Sequence, residues 1–261
     1  MSYLTTILEQ KNKEVAALRL RCSRSDFDSF ELSHRQPLSL KSAMLADKPA
    51  IIAEMKKASP SRGVIRREYD PVSIAQQYQK AGASAVSILT DGPFFSGSLE
   101  HLQMARPYLS VPILRKDFLL DSLQLYEAKA YGADAILLIV AALDASLLRD
   151  LQQEAAAIGL ECLIEVHTHD ELSGLDWQQT QILGINNRDL LTFQVDIGLT
   201  ERILPYVPDG VLAVSESGLT GPEEIRRLQS SGVDAFLIGE AFMRAPDPGI
   251  ALQTLREGLR P

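Results

Sequence analysis

The chain has 261 residues, 46% hydrophobic and 23% charged, and its 34 Asp and Glu outweigh 26 Lys and Arg to give a formal net charge of −8. That balance is globular and argues against a general binder of nucleic acid or anionic membrane, while leaving room for a local basic patch that holds a phosphate. The length suits a single α/β barrel, the apolar run 135–143 is too short to span a bilayer, and two cysteines, Cys22 and Cys162, make no disulfide framework.

The N-terminal MSYLTTILEQKNK turns charged too soon for a secretory signal, so a reducing cytoplasm is expected. Leu4, Ile7, Leu8, Val15 and Leu18 recur at helical spacing and predict a helix over 3–21, with a second short one over 38–46. Residues 1–48 are therefore expected to form a helical extension and 49–261 the main unit, together one structural domain. From Ala50 the texture changes to short β-rich runs alternating with amphipathic helices, the pattern of parallel strands joined by helical crossovers. Strands are expected at 50–55, 85–89, 111–115, 135–140, 161–166, 182–185, 211–215 and 235–238. Asp70-Pro71 supplies a cap and a first-turn proline, and Gly82, Gly132 and Gly232 each close a helix just before a strand. Eight strands with helices between them and no evident linker favour a (β/α)8 TIM barrel over an open doubly wound sheet.

In such a barrel the chemistry stands at the C-terminal ends of the strands. The first strand runs into IIAEMKKASPSRG, where alternation puts Glu54 and Lys56 on one face. Opposite charges leaving a buried strand together need each other, a ligand or a solvated cavity; a surface ion pair before an ordinary turn is the competing account. Ser59 and Ser61 offer hydroxyls there, and Gly63 lets the backbone approach an oxyanion. Other strand ends carry Lys116, Glu165, Asn186 with Arg188, and Glu216 with Ser217. Independent structural ion pairs could explain one or two of these, but so many around one mouth point to a shared cavity.

SESG, with Ser217 and Gly218, and IGEAF, with Gly239 and Glu240, follow strands seven and eight, where many barrels hold a phosphate. The Glu240 side chain is expected to turn away from that anion while its backbone N–H faces it. DGPFFSGS sets Phe94 and Phe95 over the mouth, either for an aromatic substrate or for loop packing. His167 and His169 lack the companion ligands of a metal site, so they read as capping or surface residues.

The stretches IAEMKKASPSRGVIR, LTDGPFFSGSLEHL, PILRKDF, GADAILLIVAAL, LIEVH, GINNRDLLTF, VSESG and IGEAFMRAPDP, in this order, closely resemble the indole-3-glycerol phosphate synthase family of tryptophan biosynthesis. The resemblance implies a phosphate-binding barrel that works without metal or organic cofactor. It implies conversion of 1-(2-carboxyphenylamino)-1-deoxyribulose 5-phosphate to indole-3-glycerol phosphate, carbon dioxide and water. That anthranilate-derived sugar phosphate would be its small-molecule partner, with no nucleic acid, membrane or obligate protein partner. By the same resemblance Lys116 is the general acid toward the ketone and Glu165 the acid-base group of dehydration. Lys56 engages the substrate carboxylate, and the division of proton donation between the two lysines stays open. Glu54 and Asn186 orient the anilino and hydroxyl groups, Glu216 supports them, and Arg188 holds loops or carboxylates in place. Ser59, Ser217, Gly218, Gly239 and Glu240 correspond to the phosphate site, and Phe95, Phe118 and Leu137 to apolar walls around the anthranilate ring. Unlike relatives fused to a phosphoribosylanthranilate isomerase barrel, a chain of this length is expected to act as a single-function enzyme. Two other readings keep the barrel: a sugar-phosphate isomerase, and a phosphosugar-binding protein without turnover.

Overall fold

Eight parallel strands close on themselves in the computed structural model, which describes residues 3–260. They are β1 (Ala50–Met55), β2 (Ala85–Leu89), β3 (Ile113–Lys116), β4 (Ala135–Ile139), β5 (Glu161–Val166), β6 (Ile182–Asn186), β7 (Leu212–Glu216) and β8 (Ala235–Ile238). Closure is set on β1, where Ile52 pairs with Ala85 of β2 on one side and Leu237 of β8 on the other. The architecture is the expected (β/α)8 barrel.

Three strands end later than their apolar runs alone suggest. Pro112 has no N–H to donate and offers only its carbonyl, which accepts from Val86 N–H at 3.0 Å, so β3 starts at Ile113 and runs on to Lys116. β6 and β7 likewise continue to Asn186 and Glu216, which pair with each other across the ladder. Each extension brings a polar side chain to the last rung.

Along every strand the side chains alternate between two cores. Ile51, Val86, Ile136, Ile164, Leu183 and Phe236 face outward against helices such as Pro71–Lys80 and Ala145–Ala157, while Ile52, Leu114, Leu137, Leu163, Val214 and Leu237 fill the barrel. The inward set is apolar low in the barrel and polar at its C-terminal rim. Gly82, Gly132 and Gly232 close three of the helices at φ values of 87°, 96° and 109°, a left-handed backbone that side chains resist.

Ahead of β1 lie the helices Tyr3–Arg21, Arg24–Phe27 and Leu40–Ala46. The last is hooked to the strand starts, because Glu161 accepts from Ser39 Oγ at 2.7 Å and from Lys41 N–H at 2.8 Å, and it sends Leu40 and Met44 into the interior core. The first reaches the opposite end, where Tyr3, Leu4 and Ile7 border the mouth. After β5 no α-helix forms; a 3-10 segment, Asp170–Gly174, leads toward β6 instead. The outermost bounds expected for the two units, Met1 and Pro261, lie outside the described residues.

Candidate active site

The inward positions at the rim converge. Lys116 Nζ stands 3.0 Å from Glu165 Oε2 and 2.5 Å from Glu216 Oε2, so one ammonium joins the ends of β3, β5 and β7. Across the mouth Lys56 Nζ lies 2.5 Å from Glu54 Oε2 at the end of β1. Both pairs border a cavity of about 440 Å³ that Asn186, Arg188, Ser217, Gly218, Gly239 and Glu240 also line, a volume ordinary for a small-molecule site. The strand-end residues expected to meet do meet, and the Glu54–Lys56 pair belongs to the cavity, not to an outer surface.

Electrostatics follow from burial and pairing. Burial alone would lower the affinity of Lys116 for its proton, but Glu165, Glu216 and Glu54 together hold its pKa above the usual lysine range. Burial likewise favours the neutral form of Glu165, yet Lys116 and His167 outweigh it and keep this carboxyl below the usual range. For Glu216 burial wins: despite Lys116, and with the charge of Glu165 adding to the effect, its pKa is pushed up to about 8. At neutral pH the trio is thus a cation, an anion and a carboxyl that keeps its proton. Glu216 Oε1 finds no hydrogen-bond partner among the described residues.

Two glycines make room for these carboxylates. A Cβ on Gly184 would collide with Glu216 Oε1, and one on Gly239 with Glu54 Oε2. Sequence reading placed Gly239 by a phosphate and passed over Gly184, although its position between Ile182 and Asn186 marks it as inward-facing.

The loop after β7 is strained. Ser217 (φ 67°) and Gly218 (φ 80°) are consecutive left-handed residues, and for the serine that conformation costs on the order of 1–2 kcal/mol. Ser59 Oγ is buried with no hydrogen-bond partner among the described residues. The Glu240 carboxylate is occupied by arginines, with Arg62 at 3.1 Å, Arg244 at 3.4 Å and Arg188 at 3.7 Å. Arg188 also donates to the Phe193 carbonyl at 3.2 Å, which ties the loop after β6 to this cluster.

Phe95 and Phe118 face each other with ring centroids 6.3 Å apart and, with Leu137, form an apolar wall. Phe94 instead packs edge-on against Tyr3 at 5.8 Å, and Phe193 meets the same ring at 5.3 Å, so of its two readings loop packing holds. His167 corrects an expectation. It is 8% exposed rather than a surface or capping residue, because it lies two residues after Glu165 on the same face and points its Nε2 at Glu165 Oε1, 3.2 Å away. His169 does stay outside, edge-on to Tyr206 at 4.3 Å. No group of three or more His, Cys, Asp or Glu among the described residues is arranged to hold a metal ion.

Another residue that sequence reading missed is Lys11. It sits on the buried stripe of the first helix with Ile7, Val15 and Leu18, and its Nζ lies 2.9 Å from both Asp91 and Asp117, behind the loops that carry Phe95 and follow Lys116. A lysine on an apolar stripe was the available signal.

A closed eight-stranded barrel with Lys116, Glu165 and Glu216, a second lysine and a Ser-Gly loop around one cavity defines an α/β-barrel enzyme that acts on a small molecule. Residues 4–255 match the family model described as indole-3-glycerol phosphate synthase, and the chain belongs to that family. Relatives named indole-3-glycerol phosphate synthase include that of Salinibacter ruber, 47% identical over 96% of this chain and 91% of the relative, and that of Dechloromonas aromatica, 43% identical over 97% and 98%. Among solved structures, thiamine phosphate pyrophosphorylase from Pyrococcus furiosus (TM-score 0.62, 17% identity, 82% of this chain and 97% of that one) shares the fold. So does orotidine 5'-phosphate decarboxylase from Pyrococcus horikoshii (TM-score 0.61, 13% identity, 81% and 99%).

Proposed function

We propose that the chain closes the indole ring of 1-(2-carboxyphenylamino)-1-deoxyribulose 5-phosphate, giving indole-3-glycerol phosphate, carbon dioxide and water in tryptophan biosynthesis. The observation that carries this reading is Lys116, held as a cation between Glu165 and Glu216 at the rim of a cavity with an aromatic wall.

The residues then divide the work. Phe95, Phe118 and Leu137 hold the anthranilate ring, and Lys56, released from Glu54, meets its carboxylate. As the ring carbon attacks the ketone, negative charge grows on the ketone oxygen and Lys116 protonates it. Loss of carbon dioxide leaves its electron pair on the ring system. The hydroxyl then departs as water with a second proton, supplied by one of the two lysines, and Glu165 takes a proton from the methylene carbon beside the nitrogen. Glu54 and Asn186 orient the anilino and hydroxyl groups, with Glu216 as a protonated support. Ser59, Ser217, Gly218 and the backbone of Gly239 and Glu240 hold the phosphate, with the Glu240 side chain kept off it by its arginines, Arg188 among them. No cofactor has a step in this scheme.

We also place the enzyme in the cytoplasm, without an obligate protein partner, and divide it into a helical extension (1–48) and a barrel (49–261). No helix among the described residues is long and apolar enough to cross a membrane. The test is product analysis with purified protein: one carbon dioxide and one fluorescent indole product per substrate are expected. Release of an isomerised sugar phosphate, or tight binding without product, would contradict the assignment.

A further inference from the structure

The loops that hold the proposed phosphate site come from opposite ends of the barrel sequence. Ser59 stands in the loop after β1, while Gly239 and Glu240 follow β8, so the two groups can grip one anion only if their spacing is fixed. The β1–β8 ladder does not fix it. Its last rung joins Ala53 to Ile238, and Ser59 lies six residues further along. A separate tie has to hold the loops together above that rung.

The loop after β1 is a small closed unit. Ala58–Ser59 and Gly63–Val64 pair antiparallel, and the Lys57 carbonyl accepts both Ile65 N–H at 2.9 Å and Arg66 N–H at 3.1 Å, which shuts the hairpin at its root. From that root the Arg66 side chain crosses to the chain after β8. Its Nη1 donates to the Ala245 carbonyl at 2.9 Å and to that of Met243 at 3.4 Å, and its Nη2 donates to that of Pro246 at 3.1 Å. These carbonyls end the short helix Glu240–Arg244, where acceptors lack intrahelical partners and a cation is favoured. Within the helix Met243 N–H donates to the Gly239 carbonyl at 2.9 Å, which carries the grip back to the site.

We propose that Arg66 is a positioning residue of the phosphate site, setting the distance between Ser59 and the backbone of Gly239 and Glu240 for a phosphate monoester. It lies outside the cavity wall and touches no substrate. Its planar fork reaches three carbonyls at once, a span that a lysine ammonium does not match. A second tie, Arg62 to Glu240 at 3.1 Å, is made by a side chain 57% exposed, and such pairs contribute little. The inference rests on the phosphate site proposed above.

The test is Arg66→Ala, with glycerol 3-phosphate as a probe of the phosphate half of the cavity and N-methylanthranilate as a probe of the ring half. KM for the sugar phosphate and Kd for glycerol 3-phosphate are each expected to rise about 10-fold, the weight of one hydrogen bond to a charged group, while Kd for N-methylanthranilate holds. Guanidinium ion added below denaturing concentration should restore phosphate binding, and Arg66→Lys should recover only part of it. Unchanged glycerol 3-phosphate affinity in folded Arg66→Ala would overturn the proposal, as would equal loss of both probes, the mark of a merely structural role. If neither variant folds, hydrogen exchange in the wild type decides. Glycerol 3-phosphate should slow exchange in 57–66 and 239–246 together, and protection of one segment without the other overturns the proposal. A wild type that binds no glycerol 3-phosphate is a distinct outcome, which removes the phosphate site and this inference with it.

Discussion

Lys116 keeps its proton because the acidic groups around it outweigh the penalty of burying it, and Glu216 keeps one because burial, with the charge of Glu165 added, outweighs the pull of Lys116. The second fact has a measurable sign. A carboxyl whose folded pKa is raised from 4.5 to about 8 binds a proton more tightly in the folded state, so its contribution to stability is full below about 4.5 and is lost as pH rises toward 8. Glu216→Gln removes that dependence, so its Tm relative to wild type should climb between pH 5 and pH 8; a constant difference would mean that Glu216 is ionised throughout. Lys56 stands opposite, paired with Glu54. Lys56→Ala should raise KM about 10-fold, the effect of losing roughly 1.4 kcal/mol of binding to the substrate carboxylate, and unchanged KM would remove the carboxylate from its assigned place. At this scale the strand-end charges were legible, because alternation and a polar residue after an apolar run leave few places for them. His167 was not, since its burial depends on how the chain turns after β5, and a Val-His-Thr-His run carries no mark of a 3-10 segment.

The elements were legible where local rules dominate. The first helix spans Tyr3–Arg21 as its periodicity predicts, and the strands at 50–55, 85–89, 161–166 and 235–238 stand where they were expected. Where tertiary pairing decides, the ends shifted: Pro112 delays β3, and ladder partners extend β6 and β7 onto residues too polar to read as strand. What no periodicity shows is the tie between elements. Lys11 fixes the first helix to Asp91 and Asp117, and Asp117 is held further by Thr90 Oγ1 at 2.6 Å and Arg115 at 3.2 Å. Asp91, fully buried, has Lys11 as its one cation among the described residues. Removing one partner of a buried pair costs about 3–5 kcal/mol, so Lys11→Met should lower Tm by about 6–20 °C in a chain of this size. A thermal unfolding midpoint within a degree or two of wild type would show that the network does not anchor the helix.

The whole molecule is acidic, with a net charge of −8, and its mouth gathers Lys56, Arg62, Arg188 and Arg244 beside the carboxylates of Glu54 and Glu240. On the proposed function, a phosphate entering this rim competes with Glu54 and Glu240 for those cations, an attraction that salt screens over about 8–10 Å at 0.1–0.15 M ionic strength. We expect kcat/KM to fall as salt rises while kcat stays level; a salt-independent kcat/KM would mean that the rim does not steer substrate. Barrel closure makes that gathering inevitable, since eight strand ends meet on one ring and every inward residue at the rim faces the same space. The central claim concerns the ammonium at its centre. Turnover of the carboxyphenylamino sugar phosphate, followed by indole fluorescence in the wild type and in Lys116→Ala, tests it most directly. The account predicts a kcat lower by at least about 10²-fold in a variant that still folds and still binds a substrate analogue, and near-wild-type turnover in that variant would contradict it.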